Sequence, residues 1–259
     1  MKEERGQRLV FGILAGIARP LMNVLMAKTW IGFDNLPVAG FIACPNHVTE
    51  IDPVVVGHAF YNQGRLPRYL TKESLFKVPL LGAALRASHQ VPVSRATAGA
   101  SGSLAIAKEV LDAGDVIIIY PEGSLTRDPE EWPMRGRTGA ARLALQTGAP
   151  VVPVAHWGAQ KVLPRYGKTL SIFPRKRVYV RAGQPVDLDD LRDRPMTRTV
   201  LDQATQRIIA ALSAEVGELR GEQPPEKPWD PVAHGQTATG RMNTEDKNRN
   251  EDDRPGGAA

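Results

Sequence analysis

The chain has 259 residues, 42% of them hydrophobic and 24% charged, which is ordinary for a folded protein and excludes a fibrous or wholly disordered chain. A single cysteine excludes a disulfide framework and any multi-cysteine metal site. The net charge of +5 hides a split, with −3 on residues 221–259 and +8 on residues 1–220. A basic body suits an anionic partner: nucleic acid, a membrane surface or a phosphorylated substrate.

Taken in order, the chain begins with an uncharged apolar run, Leu9–Ala18, then Arg19-Pro20 and a second apolar stretch, Leu21–Ala27. Ten helical residues span about 15 Å, half of a bilayer core. Pro20 disfavours helix at Arg19, so a kinked or paired helical element is expected rather than one span. Lys2, Arg5 and Arg8 with Gly16-x-Ala18 also fit a secretory leader, and simple packing against the core is a third reading. Glu3 and Glu4 dilute the basic leader. The expectation is therefore an in-plane anchor over residues 1–28, peripheral on the cytoplasmic face of the cell membrane. No later segment reaches the 18 apolar residues of a spanning helix.

Residues 29–220 alternate strand and helix. Strands are expected at Phe41–Cys44, Pro67–Thr71, Gln90–Val93, Val116–Tyr120, Val151–Ala155 and Arg177–Arg181. Between them the spacing predicts helices at Pro53–Tyr61, Pro79–Arg86, Ala98–Ala113 and Thr138–Thr147, with a long terminal helix at Arg198–Arg220. Val116–Tyr120 (VIIIY) is a continuous β-branched run of the kind buried on both faces. This alternation implies an α/β fold, a largely parallel mixed sheet flanked by helices. Residues 221–259 are rich in Pro, Gly, Asn and charge, hold Trp229 as their only aromatic, and read as a disordered tail.

Two segments could carry chemistry. Pro45-Asn46-His47-Val48-Thr49-Glu50-Ile51-Asp52-Pro53 sets His47 in the turn after a strand, with Asp52 at the head of a helix. If the turn folds back, Asp52 fixes the imidazole tautomer and leaves the other nitrogen as a base. Taken alone, the spacing equally fits a capping Asp and an ordinary turn His. The second segment, Tyr120-Pro121-Glu122-Gly123-Ser124-Leu125-Thr126-Arg127, follows another buried strand. Ligands bind at such strand ends; Gly123 permits close backbone approach and Arg127 can supply charge. Cys44, three residues before His47, could in principle form an acyl-enzyme, but as the last residue of a buried strand it reads as packing. His58, His89, His156 and His234 receive no functional reading.

Together these blocks resemble the glycerophospholipid acyltransferase superfamily, specifically the 1-acylglycerol-3-phosphate acyltransferases. Asn46-His47-x4-Asp52 matches the family's Asn-His-x4-Asp, and Val91-Pro92-Val93-Ser94-Arg95 resembles its second motif, which ends in Arg. Tyr120-Pro121-Glu122-Gly123 resembles the third, Phe-Pro-Glu-Gly-Thr-Arg-Ser, and Val151-Val152-Pro153-Val154 the fourth. Thr71-Lys72-Glu73-Ser74-Leu75-Phe76 resembles the Lys-containing stretch before the second motif. There are departures: Leu125 stands at the family's Arg position, while His89 and Ser94 replace its Gly and Asp.

The resemblance implies acyl transfer from acyl-CoA or acyl carrier protein to the free hydroxyl of 1-acyl-sn-glycerol 3-phosphate, giving phosphatidic acid. It makes His47 the general base and Asp52 its orienting partner. Glu122 and Gly123 would shape the acceptor site beside Asn46. Lys72 and Arg95 would pair with the phosphate; for the missing Arg, either Arg127 substitutes from two residues on, or Arg95, Lys72 and Arg135 or Arg137 carry the charge. No cofactor is expected beyond the acyl thioester co-substrate, and no metal, since there is no His-Glu-x-x-His run. Expected partners are the lysophospholipid acceptor, the acyl donor and a membrane surface. Nucleic acid is not expected, because the basic residues are scattered and aromatics total 6%. Leu125 keeps open another lysophospholipid or a glycolipid acceptor, and a non-catalytic lipid-binding member is the alternative of a different kind.

Overall fold

A computed structural model describes residues 11–13, 16, 19–93, 100–237 and 240. Its strands are β1 (Met26–Ile31), β2 (Phe41–Pro45), β3 (Pro67–Lys72), β4 (Val91–Val93), β5 (Val116–Ile118), β6 (Val151–Trp157) and β7 (Lys176–Ala182). Its helices are α1 (Asp52–Asn62), α2 (Leu81–Ala87), α3 (Ala100–Asp112), α4 (Gly139–Thr147), α5 (Asp189–Arg192) and α6 (Arg198–Arg220). The strands form one sheet in the order β1-β7-β6-β2-β5-β3-β4, in which only the β6–β7 pairing is antiparallel. The expected α/β class, with a largely parallel mixed sheet, is what the chain adopts.

Alternation along β2 builds two cores. Phe41 and Ala43 point to one face, with Val55, Val56, Ala59 and Phe60 of α1. Ile42 and Cys44 point to the other, against apolar side chains of α3, α4 and α6. All five residues of β2 are buried, as are the three of β5, which is why both segments read as unbroken apolar runs. Helix α6 starts at an N-cap, Thr197, whose hydroxyl accepts from Val200 N at 3.3 Å, and stops at Gly221, whose φ of 68° few other residues adopt. Its buried Leu201, Ile208 and Leu212 each contribute about 1.5–3 kcal/mol by leaving water.

Three expectations need correction. The boundary placed after residue 28 cuts through β1, which pairs in parallel with β7 over all six of its residues. Residues 19–25 are helical, and Met22 and Leu25 enter the α1-side core, so this part of the expected anchor is also a structural element. The rest of that call, residues 1–10, 14, 15, 17 and 18, lies outside the described residues. The expected disordered tail begins too early, because residues 221–237 pack on the body. Arg135 N donates to Trp229 O at 2.8 Å, the Trp229 and His234 rings stack at 3.5 Å, and Gln236 is buried. Among the described residues no helix is long and apolar enough to cross a membrane.

Candidate active site

His47 lies in the turn beyond β2, and Asp52 opens α1 with Pro53 behind it. The turn folds back through the carboxylate. Oδ2 of Asp52 accepts from Val48 N at 2.6 Å, from Thr49 N at 2.8 Å and from His47 Nδ1 at 3.1 Å. Two backbone amides thus fix the carboxylate, and the carboxylate fixes the imidazole. With Nδ1–H directed at Asp52, Nε2 is the nitrogen left to accept a proton. Asp52 is 0% exposed, while the His47 side chain keeps 17% of its surface. The His47 ring stacks on Tyr120, with centroids 4.1 Å apart and planes at 29°.

A second histidine, given no role from the sequence, reaches the same carboxylate. His156 on β6 is fully buried, with Nε2 2.7 Å from Asn46 O and 3.4 Å from Asp52 Oδ2. A carbonyl oxygen only accepts, so Nε2 carries the hydrogen. Burial pushes the Asp52 carboxyl upward, but the charges and hydrogen bonds of His156 and then His47 outweigh it and bring it down to about 2. Burial opposes charge on His156, yet the Asp52 carboxylate and the Asn46 carbonyl together raise its pKa.

Asn46, expected beside the acceptor, is 1% exposed, and both ends of its amide are spent on the backbone of β6. Its Nδ2 donates to His156 O at 3.1 Å and its Oδ1 accepts from His156 N at 2.8 Å, so the buried amide extends the β2–β6 pairing beyond the strand. The sequence signal that could have found His156 is topological. Parallel pairing of Pro45 with Val154 brings residues 46 and 156 to adjacent positions.

The loop after β5 holds the backbone of His47 from both sides. Glu122 Oε1 accepts from His47 N at 2.9 Å, and Thr126 N donates to His47 O at 2.6 Å. The other Glu122 oxygen accepts from Met134 N at 3.0 Å. Burial pushes the Glu122 carboxyl up to about 8, against the pull of the Met134 and His47 amides. At 1% exposure, Glu122 clamps the backbone of the His47 turn. Gly123 is exposed at φ 74°, and a Cβ there would lie 2.7 Å from Arg137 Cδ, so the Arg137 stem rests on this glycine. A cleft of about 360 Å³ opens beside Glu122, lined by Arg135, Arg137 and Arg198 among others. Within it Arg135 pairs with Asp230 at 2.6 Å and Arg198 with Asp202 at 2.9 Å.

The remaining expected site residues divide. Arg127 is 0% exposed and its Nη2 donates to Gly240 O at 3.0 Å. It ties the C-terminal segment to the body. Leu125, at the family's Arg position, is buried apolar side chain. Lys72 ends β3 on the site side of the sheet, and Arg95 lies outside the described residues. Cys44 points into the core on the α4 and α6 face, where burial pushes its thiol well above its usual range. That removes it as a nucleophile. Among the described residues no cluster of three His, Cys, Asp or Glu side chains could hold a metal.

The family model described as Acyltransferase matches residues 29–157, a span that includes His47, Asp52, Glu122 and His156. A chloroplastic 1-acyl-sn-glycerol-3-phosphate acyltransferase of Brassica napus is 26% identical over 136 residues, covering 51% of this chain and 38% of the relative. Tafazzin of Drosophila melanogaster is 28% identical over 143 residues, covering 51% and 37%. The chain therefore matches less than two-fifths of the length of these relatives. The fold is similar to the crystal structure of the 1-acyl-sn-glycerophosphate (LPA) acyltransferase PlsC from Thermotoga maritima, with a TM-score of 0.60 at 21% identity over 86% of this chain and 84% of that one. Residues 29–157 thus match the acyltransferase family, and the chain is similar to the 1-acyl-sn-glycerol-3-phosphate acyltransferases.

Proposed function

We propose that this protein transfers a fatty acyl group from acyl-CoA or acyl carrier protein to the free hydroxyl of 1-acyl-sn-glycerol 3-phosphate, giving phosphatidic acid. The observation that carries this reading is the 3.1 Å contact between His47 Nδ1 and Asp52 Oδ2 in a turn held from both sides. His47 Nε2 takes the acceptor's hydroxyl proton as the oxygen attacks the thioester carbonyl. The tetrahedral intermediate then collapses, the C–S bond breaks, and the departing thiolate recovers the proton from the imidazolium. Asp52 stabilises the transient imidazolium, and the positive end of α1 favours the carboxylate in its first turn. A positioned base of this kind contributes about 10²–10⁴-fold. Lys72, Arg95 and Arg137 bind the acceptor's phosphate in this reading.

A second reading, acylation of another lysophospholipid, is favoured by one observation: Leu125 is buried where the family carries Arg. Exposed Leu21 and Val24 beside buried Met22 and Leu25 support residues 19–25 as part of a peripheral membrane anchor. The test is purified protein in detergent with acyl-CoA, offered lysophosphatidic acid beside a panel of other lysolipids. Preferential turnover of lysophosphatidic acid supports the first reading. Turnover of another acceptor alone moves the assignment to the second.

A further inference from the structure

Arg220 is the last residue of α6, yet only 9% of its side chain reaches solvent. The guanidinium lies between two indoles, 4.1 Å from the Trp132 ring and 4.6 Å from the Trp157 ring. Its Nη1 donates to Glu130 O at 2.7 Å, Nη2 pairs with Glu222 at 2.5 Å, and Nε is buried with no hydrogen-bond partner among the described residues. An apolar side chain would fill that gap with less desolvation. What a guanidinium adds is two flat faces and a donor in fixed geometry, which together set the spacing of the groups on either side.

Both sides lead to the site. Trp157 ends β6 directly after His156, whose Nε2 is 3.4 Å from Asp52 Oδ2. Trp132 belongs to the loop that clamps the His47 turn. Its carbonyl accepts from Thr126 Oγ1 at 2.6 Å, and Thr126 N donates to His47 O at 2.6 Å. Two residues on, Met134 N donates to the Glu122 carboxylate that accepts from His47 N. Between Glu130 and Trp132, Glu131 stands at a φ of 65°, a conformation that costs a non-glycine residue and persists only where neighbours hold it. Trp132 clusters with Ala155 of β6 and Val216 of α6, so the loop, β6 and the end of α6 meet at this point.

We propose that Arg220 is a positioning residue for acyl transfer: wedged between Trp132 and Trp157, it holds the loop of residues 126–134 in place beside β6, and through Thr126 and Glu122 it fixes the backbone of His47 against Asp52. Arg220 lies beyond residues 29–157, the span that matches the family model. The inference rests on the reading of His47 as the base of acyl transfer. Without the wedge the loop keeps Arg165, whose Nη1 donates to Thr126 O at 2.6 Å and to Asp128 O at 2.9 Å, so His47 is displaced and not released. The expected loss is therefore about tenfold, short of the roughly 10²-fold that about 1 Å of misplacement can cost.

The test uses the full chain in detergent, with acyl-CoA and the lysolipid that wild type turns over. Arg220→Met should lower kcat about tenfold, with KM for both substrates little changed. Arg220→Lys keeps the charge but loses the flat faces, and should cost about threefold or more. Arg207→Met removes the exposed pair with Asp190 on the same helix and should match wild type. A second readout follows the base itself. The His47 ring stacks on Tyr120 at 4.1 Å, so ring current makes its Cε1–H resonance a gauge of its position. That resonance, assigned by its loss in His47→Ala, should shift in both Arg220 variants and stay in place in Arg207→Met. Each variant is measured where its urea curve shows it folded; if Arg220→Met does not fold, Arg220→Lys decides. The inference is overturned if kcat or the His47 resonance keeps its wild-type value in either folded Arg220 variant, if the loss falls in KM, or if Arg207→Met loses as much. Wild type that acylates no lysolipid defeats the functional reading, and the His47 resonance alone then decides the wedge.

Discussion

Asp52 Oδ2 gathers donors from Val48, Thr49 and His47 within 3.1 Å, and His156 Nε2 stands at 3.4 Å. A buried carboxylate so loaded is held ionised, and in the proposed mechanism its work is orientation. His156 is a positioning residue in this arrangement, since it touches Asp52 and Asn46. His156→Leu leaves the Asn46 carbonyl without its donor and loosens Asp52. About 1.4 kcal/mol, one net hydrogen bond, is about tenfold in rate. Steady-state kinetics should show that loss in kcat with KM little changed, and His156→Gln, which retains a donor, should recover most of it. Equal losses in both variants, appearing in KM, would contradict the positioning role.

The same residues set a pH dependence of stability. Asp52 sits near 2 against an ordinary 3.8, so its contribution is complete above about pH 4 and is lost as pH falls toward 2. Glu122 is shifted the other way, from 4.5 to about 8, so the folded state holds the extra proton and stability declines as pH rises across that window. His156, raised from 6.5, adds to the decline, because its contribution is present below that value and lost as pH rises through the folded one. Urea midpoints should therefore fall between pH 5 and 8, with a shallower slope in Glu122→Gln. An unchanged slope in that variant would remove Glu122 as a cause.

At the scale of elements, the site is a junction of strand ends. The Asn46 amide bridges β2 to the backbone of His156 on β6, and Glu122 bridges the β5 loop to the His47 turn. Asn46→Ala strands two buried backbone groups and should destabilise the fold by about 1–3 kcal/mol, read from the urea midpoint. The central strands were legible because β2 and β5 are buried on both faces, which writes an unbroken apolar run. β1 was not, since only Met26 of its six residues is buried and it follows an apolar stretch without a break. His47 and Asp52 were legible because a five-residue turn lets one carboxylate close on it. The backbone partners of Asn46 and Arg127 were not legible, because a polar side chain facing backbone and one facing solvent look alike in sequence. His156 was missed because its contacts span 110 residues and exist only once β6 lies beside β2.

Across the whole molecule, the C-terminal segment returns to the body. The Trp229 carbonyl accepts from Arg135, Asp230 pairs with Arg135 at 2.6 Å, and Gly240 O accepts from buried Arg127. Composition alone read this stretch as solvated, and the few contacts that hold it cannot be separated from a polar background by pattern. Truncation after Arg220 should lower the melting temperature measurably, and an unchanged value would show these contacts to be idle. The whole arrangement serves one imidazole, so its most direct test is acyl-CoA-dependent acylation of a detergent-dispersed lysophospholipid by wild type and His47→Ala. Wild type should form product, and His47→Ala should be slower by about 10²–10⁴-fold with its urea midpoint preserved. Equal rates in the two proteins would contradict the account.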